Sequence, residues 1–507
     1  MWQHRRLVTG AACGRQVGPD SRKAVLVVAS LVAAGCVLRL ARPEVHSFWI
    51  DEGSTVLLAR SADLVAAMRA DSHPPLSFLA FRAWGTVFGW SDLALRLLPA
   101  LASCVSLALF VPLAHAWLGR RRAPWAVALY AFSPLLVWLA HEVRMYALVE
   151  LATLLVLHAA RGAWRRPSIA RHVLLAACTA LATGLHYYGA FAGLIVIAQA
   201  LVRRRDAALR WSDAGATAAA CALGVAAWAP WLVTILPDQL ANDWPRIAHF
   251  GWRDVAETPA RLVAVDFVAL HEHGVAWIGW AVAGLCTLGV CAWIAVALFG
   301  RAATSRAAGA GEAREDPLAP REALCAALVP IAAALVLAAC AQGGFQPRYL
   351  VTAVPGMIAC AAGGLASLRP RLLARAAGGL LLCGALSMCV LQLAQNRRED
   401  YRSACREIAA RWQPGDRLLV VCCVPRPYVM ATVEHYLRDR PAVLGSALDL
   451  ERYLAGGEPV PSGTRIHVIW REATICWQPF DDLRRTHRFL EQAPPRFRIH
   501  RKLAEAP

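Results

Sequence analysis

Runs of apolar residues long enough to cross a lipid bilayer recur along most of this chain, and they decide what it can fold into. They lie near 24–40, 93–118, 124–140, 145–160, 172–188, 189–202, 214–235, 275–299, 323–341, 349–367 and 373–394. At about 1.5 Å of rise per residue, each covers most or all of a hydrocarbon core about 30 Å thick. The composition agrees: 58% of the 507 residues are hydrophobic and 17% charged, against roughly 45–50% and 25% in soluble chains. The fold class read from this is a polytopic α-helical membrane protein with about eleven transmembrane helices. No small-residue cleavage signature follows 24–40, so that run is read as a span and not as a removable signal. The segment 73–90 opens with two prolines and is interrupted by Arg82. It reads as an interfacial or re-entrant helix, with a true span as the alternative.

The formal charge of +18 is carried by arginine, since lysine occurs only at Lys23 and Lys502. This Ala-, Arg- and Gly-rich usage has the look of a high-GC bacterial coding bias, and it does not point to nucleic acid. The arginines sit between the apolar runs: Arg5, Arg6, Arg15 and Arg22 before the first, then Arg120–Arg122, Arg161 with Arg165, Arg166 and Arg171, Arg203–Arg205, and Arg369 with Arg371 and Arg375. Basic loops stay in the cytoplasm. With eleven crossings all these clusters fall on one side, and 301–322 becomes a flexible cytoplasmic linker. The opposite, outer side then receives 41–92, 141–144, 186–189, 236–272, 342–348 and the tail. Most of the sixteen cysteines lie inside apolar runs, where cysteine behaves as a small hydrophobe. No CxxC pair or zinc-like spacing occurs, and only Cys405, Cys422, Cys423 and Cys476 fall in the polar tail, where a disulfide is chemically open.

Three regions follow: a cytoplasmic segment 1–23, a transmembrane region 24–394 whose first outer loop is 41–92, and a small periplasmic α/β domain 395–507. In the tail, the Pro414-Gly415-Asp416 turn and the apolar runs Leu418–Val424 and Ile466–Trp470 predict strands, and 401–412 and 480–492 predict helices.

Nearly every chemically interesting residue lies on the outer side. Asp51 and Glu52 follow the first span, where a carboxylate can serve as a general base on an acceptor hydroxyl; as a helix-start pair they would merely favour the macrodipole. His73, before Pro74-Pro75, would be held rigidly at the membrane surface by the two prolines, or is simply a surface histidine at a helix start. Glu142 and Arg144 stand at the turn before Tyr146, and an arginine there can grip a phosphate through its planar fork, or simply pair with the glutamate. His186 and Tyr187 end the fifth span, and Arg348 opens the tenth as a second phosphate candidate or as an interfacial anchor with Tyr349. The loop 236–272 adds Asp238, Asp243, Trp244 and Arg246 without a specific signature.

The ordered set Asp51-Glu52, His73-Pro74-Pro75-Leu76, Arg96-Leu97-Leu98-Pro99, Glu142-Val143-Arg144-Met145-Tyr146-Ala147 and Arg348-Tyr349-Leu350 resembles the GT-C membrane glycosyltransferases of the protein O-mannosyltransferase and aminoarabinose transferase superfamily. Within it, the bacterial lipopolysaccharide-core branch looks closest. The resemblance covers about 40–400. It departs from the family at His141, where a glutamine is usual, and at Val143, where an alanine is usual; neither change removes a charge. The resemblance implies a polyprenyl-phosphate-sugar donor, with Asp51 as the base or its orienter, accompanied by Glu52. Arg144 and Arg348 match positions that face the lipid phosphate or support the site.

The function expected is therefore transfer of a sugar from a polyprenyl-phosphate carrier to a glycan, lipid or protein acceptor at the periplasmic face of a bacterial inner membrane. The catalytic set is Asp51, Glu52 and Glu142; the donor-binding set is His73, Arg144, Tyr146, His186, Tyr187 and Arg348. No cofactor is required where arginines neutralise the leaving phosphate, although Asp51, Glu52, His73 and His186 are all capable metal ligands. The alternative is a secondary transporter or flippase. That reading would place charges near the midplane and repeat broken helices, whereas here the acids gather at one face.

Overall fold

The computed structural model describes residues 19–241, 252–264, 276–299, 316, 318–341, 346–394, 399–421, 426–449, 452–453, 458–471, 488–492 and 499–505. In chain order the helices are α1 (Pro19–Leu40), α2 (Ile50–Arg60), α3 (Leu64–Arg69), α4 (Leu76–Phe88), α5 (Asp92–Ala131), α6 (Pro134–Ala140), α7 (Tyr146–Arg165), α8 (Ile169–Leu185), α9 (Phe191–Arg205), α10 (Trp211–Ala226), α11 (Ala229–Thr234), α12 (Leu236–Ala241), α13 (Trp252–Val263), α14 (Ala276–Phe299), α15 (Ala319–Ala341), α16 (Val354–Leu365) and α17 (Arg371–Ala394). Short 3-10 turns occupy Tyr187–Ala190 and Pro347–Ala353. Each of the eleven apolar runs coincides with helix. Among the described residues, seven helical stretches are long and apolar enough to cross a membrane, one of them the 3-10 turn Pro347–Ala353 continued by α16; α8, α9 and α10 are shorter, at 17, 15 and 16 residues. Large apolar side chains such as Leu26, Val87, Leu223, Leu372 and Leu380 lie exposed on the bundle surface. A lipid-facing surface requires this; in water it would be a sticky patch.

The 40-residue α5 illustrates how the bundle folds back on itself. A straight helix of that length would run about 60 Å, twice the hydrocarbon thickness. Gly119 breaks it with φ 72° and ψ 170°, a left-handed conformation that favours glycine. The Phe110 and Tyr130 rings, twenty residues apart, consequently stack with centroids 4.3 Å apart. The two halves are antiparallel, and the turn between them carries Arg120–Arg122. The next helices alternate in direction too: α7 runs from Tyr146 to Arg165, α8 from Ile169 to Leu185, and α9 from Phe191 to Arg205. Arginine-rich turns therefore collect at one end of the bundle, and the loops bearing Asp51, Arg144 and His186 at the other. At the arginine-rich end the buried Glu322 accepts from Arg161 at 2.8 Å and pairs with Arg203, tying α7, α9 and α15 together. The expected linker 301–322 ends sooner than its composition suggests, because α15 already begins at Ala319; residues 301–315 lie outside the described residues.

Helix α4 has 13 residues, about 20 Å of rise and too short to cross. It packs on α2, α5 and α8, and its Arg82 donates to Ala59 O at 2.6 Å and to Ser61 O.

The tail forms a small α/β region. Helices α18 (Tyr401–Arg411), α19 (Arg426–Leu437) and α20 (Pro441–Leu444) accompany strands β1 (Arg417–Val421), β2 (Ala447–Leu448), β3 (Arg465–Arg471), β4 (Arg488–Gln492) and β5 (Ile499–Glu505). The sheet order is β2-β1-β3-β5-β4; β1 pairs parallel with β2 and β3, and β5 pairs antiparallel with β3 and β4. Alternation along β1 sends Leu418 and Val420 to a face covered by Tyr401, Cys405, Ile408, Val429 and Val433, and Leu419 and Val421 to the other. The helix expected over 480–492 is corrected at its end: 488–492 is a strand, because pairing with β5 outweighs a local helical pattern. Cys405 is a buried free thiol; Cys422, Cys423 and Cys476 lie outside the described residues.

Candidate active site

The site is built on α2. Asp51 and Glu52 occupy its first turn, where the helix N-terminus favours negative charge. The two acids have opposite surroundings. Glu52 is fully buried: Oε1 accepts from Arg96 Nε at 2.9 Å and from Val143 N at 2.9 Å, and Oε2 accepts from Arg96 Nη2 at 2.7 Å. Arg96 uses its remaining N–H groups on Pro43 O, His46 O and Ser47 O, at 2.9, 2.6 and 3.2 Å. All five guanidinium donors are thereby spent on one loop. Asp51, by contrast, keeps a quarter of its side chain accessible, and its Oδ2 lies 3.4 Å from Arg348 Nη1.

The 141–145 turn brings Arg144 to the same place. His141 Nε2 donates to Arg39 O at 2.8 Å, and Val143 N is held by Glu52. Arg144 donates from Nη1 to Thr55 Oγ1 at 3.2 Å and to Asp51 O at 3.4 Å. Its Nη2 lies 3.3 Å from His73 Nε2. His73 Nδ1 in turn lies 2.8 Å from Asp71 Oδ1, which also accepts the His73 backbone N–H at 2.9 Å. An arginine can only donate and an ionised carboxylate can only accept, so the network assigns His73 the neutral Nδ1–H tautomer. Burial opposes the charge on Asp71, yet His73 and Arg144 hold its carboxyl below the ordinary range. Burial likewise opposes the Arg144 cation, but Asp51, Tyr146 and Asp71 raise its pKa above the usual guanidinium value.

Arg348, at the start of the 3-10 turn before α16, closes the cluster. Its guanidinium lies 5.1 Å from the Trp49 ring, 5.8 Å from Tyr146 and 5.5 Å from Tyr349, distances at which a cation is attracted to aromatic faces. His186 sits among Tyr146, Tyr188, Tyr349 and His73, its ring 5.4 Å from that of His73. Buried Glu142 is near enough to act electrostatically on Arg348. Among the described residues, Arg144 Nε, Arg348 Nε and the Tyr146 hydroxyl are buried without a hydrogen-bond partner. Three buried donors beside one accessible carboxylate form a pocket chemistry suited to an anion.

A family model described as dolichyl-phosphate-mannose-protein mannosyltransferase matches residues 72–233, from His73's loop through α11. Among solved structures, the chain is similar to ArnT from Cupriavidus metallidurans in the apo state, with TM-score 0.56 and 15% identity over 96% of this chain and 98% of that one. The same protein bound to undecaprenyl phosphate gives TM-score 0.53 and 15% identity over 95% and 98%. The Archaeoglobus fulgidus oligosaccharyltransferase in complex with Zn and sulfate gives TM-score 0.52 and 12% identity over 88% of this chain and 68% of that one. This chain shares the fold of ArnT and of that oligosaccharyltransferase. No curated protein sequence matches it.

In this fold, Asp51, Arg144, Arg348, His73, His186, Tyr146 and Glu142, taken from five separate stretches of the sequence, converge on one site. Glu52 meets the site from behind, with both oxygens turned to Arg96 and Val143. The Tyr187 hydroxyl points elsewhere: it donates to Gln239 Oε1 at 2.5 Å and accepts from Trp231 Nε1 at 3.1 Å. Gln239 itself donates to Met68 O and His73 O, so Tyr187 supports the His73 loop at one remove. Asp238 pairs with Arg69, and Asp243, Trp244 and Arg246 lie outside the described residues. Sequence reasoning passed over Arg96, Asp71, Thr55, Tyr188 and Tyr349 as site members. Arg96 carried a signal of its own, a charge inside an apolar run, which is expensive unless paired. Among the described residues no three His, Cys, Asp or Glu side chains converge as a metal set; Asp51 is turned to Arg348 and His73 to Arg144, so no step is derived through a metal.

Proposed function

We propose that this chain is a glycosyltransferase that moves a sugar from a polyprenyl-phosphate donor to a hydroxyl of a glycan, lipid or protein acceptor. On this reading residues 24–394 form the transferase region of a bacterial inner-membrane protein, and 395–507 form a domain on the periplasmic side with the catalytic loop 41–92. The arginine-rich turns at the opposite end of the bundle support that orientation. The observation that carries the proposal is the pair of guanidinium groups of Arg144 and Arg348, whose Nε donors are buried and unpartnered, beside the accessible carboxylate of Asp51. An undecaprenyl phosphate complex of a protein with the same fold agrees with this donor class.

The acceptor oxygen attacks the anomeric carbon while the bond from that carbon to the phosphate oxygen breaks. The phosphate leaves with the bonding electrons, and Asp51 takes the acceptor proton. Arg348 and Arg144 meet the charge that develops on the phosphate, and their fixed positions avoid reorganisation at that moment. Tyr146 and His186 line the approach, and His73 holds Arg144. Glu142 keeps Arg348 in register. Glu52 acts through Arg96 and Val143 by holding the loop, and so serves as a positioning acid.

The test is transfer of radiolabelled sugar from a panel of undecaprenyl-phosphate sugars in membranes, for wild type and Asp51→Asn, with and without chelator. Wild-type transfer that vanishes in a folded Asp51→Asn protein is the expected result. Transfer that survives the substitution would refute Asp51 as the base and shift the role to Glu142.

A further inference from the structure

The C-terminal α/β region reaches into the catalytic loop, and nothing in the chemistry above requires it to. Residues Val429, Thr432, Val433, Tyr436 and Leu437 lie on one stripe of α19, at spacings of three and four, and this stripe faces α2. Ile50, the residue before Asp51, is buried in the apolar core of the C-terminal region with Val429, Val433, Leu437, Tyr401 and Ile469. Gly53, two residues after Asp51, lies directly on Thr432. A Cβ at Gly53 would come within 2.0 Å of Thr432 Oγ1 and 2.8 Å of its backbone N and Cα, so the two helices meet this closely only because position 53 has no side chain.

A polar knot continues the contact. The Tyr436 hydroxyl accepts from Phe48 N at 2.6 Å and donates to Asp92 Oδ2 at 2.8 Å. Asp92 also receives His435 Nε2 at 2.8 Å and Arg402 Nη2 at 2.6 Å. Arg402 further donates to His46 O at 2.6 Å, and its backbone N–H donates to Ser47 Oγ at 3.0 Å. From the membrane side Arg96 holds Pro43, His46, Ser47 and Glu52; from the C-terminal side the contacts fall on residues 46–50 and 53. Asp51 stands between the two grips.

We propose that the C-terminal region is a positioning element of the active site, with Tyr436 and Thr432 setting where α2 presents the Asp51 carboxylate. This rests on the reading of Asp51 as the base. Among the described residues, the hydrogen bonds of Tyr436 and Thr432 fall on Ser47, Phe48, Trp49 and Asp92 and not on Asp51, Arg144 or Arg348, so both act through the backbone of the loop.

The experiment compares full-length wild type with Tyr436→Phe and Gly53→Ala, and with Asp439→Asn at an exposed position of the same region as control. Transfer kinetics and amide hydrogen exchange are both read in detergent micelles. In Tyr436→Phe the expected result is a kcat at least tenfold lower, a donor KM within about twofold of wild type, and faster exchange confined to peptides spanning 44–56. Gly53→Ala is expected to show the same exchange pattern and a larger loss of kcat. Unchanged exchange and kcat in Tyr436→Phe would overturn the proposal. So would faster exchange spread through α5 and α7, which marks general destabilisation. If the wild type transfers from no donor, the reading of the activity is at fault, while the exchange pattern over 44–56 still decides whether the C-terminal region positions the loop.

Discussion

Replacing Arg96 with methionine removes the cation that neutralises a wholly buried carboxylate. In the folded protein Glu52 accepts three hydrogen bonds from Arg96 and Val143, at 2.7–2.9 Å, and both side chains are 0% exposed. Breaking such a pair from one side costs about 3–5 kcal/mol, because the surviving charge stays buried without its partner. Glu52→Gln strands the guanidinium instead and is expected to cost a similar amount. Were the two effects independent, the double variant would lose about 6–10 kcal/mol, comparable to the whole stability of a typical domain at about 5–15 kcal/mol. Since both deletions break one interaction, Glu52→Gln with Arg96→Met is expected to cost little more than either alone, leaving a coupling of several kcal/mol. Unfolding in mixed micelles can be followed with a thiol-reactive fluorophore, because Cys286, Cys360, Cys389 and Cys405 are buried until the fold opens. Single variants that each cost below about 1 kcal/mol, or a double variant equal to their sum, would refute the claim that this pair anchors the first loop.

Three further outcomes are expected. Asp71→Asn should release the His73 tautomer, which the nitrogen shifts of labelled histidine report directly against a His73→Gln reference, and should raise the donor KM; an unchanged tautomer would refute the relay from Asp71 to Arg144. Because the Asp71 pKa is depressed by folding, its contribution to stability is present above the ordinary carboxylate value and is lost as pH falls through the folded one; exchange of peptides over 68–76 should therefore rise in acid in the wild type but not in Asp71→Asn. Arg348→Lys keeps the charge but loses the fork, and loss of one or more charged hydrogen bonds worth about 1.5–3 kcal/mol each should weaken donor binding by about 10- to 100-fold, so wild-type binding of undecaprenyl phosphate by this variant would contradict a guanidinium–phosphate contact. Glu322→Gln, at the far end of the bundle, should lower thermal stability through Arg161 and Arg203 while leaving the donor KM unchanged; a changed KM would mean that the two ends are coupled.

The helical membrane architecture was legible from the residues because a bilayer leaves a long apolar run few choices: every backbone N–H and C=O must be satisfied within the segment. The eleven runs coincide with helix, and the ordered short motifs led to a family whose model matches residues 72–233. The strand at 488–492 was misread because its conformation is set by pairing with 499–505, a contact that local pattern does not encode.

What the sequence alone determined, then, is which segments are helical and which residue types stand between them, since both follow from local periodicity and from the cost of polar groups in lipid. The division of labour within the site was decided only by tertiary structure. Asp51 and Glu52 are neighbours with the same chemistry in the sequence, yet one helical step turns Asp51, partly exposed, to Arg348, and buries Glu52 against Arg96. Tyr187 and Tyr188 part in the same way, one toward Gln239 and one toward His186. The grip of Tyr436 on Phe48 spans 388 residues of chain. No local pattern specifies such a contact, because its geometry exists only after two elements distant in the sequence have packed.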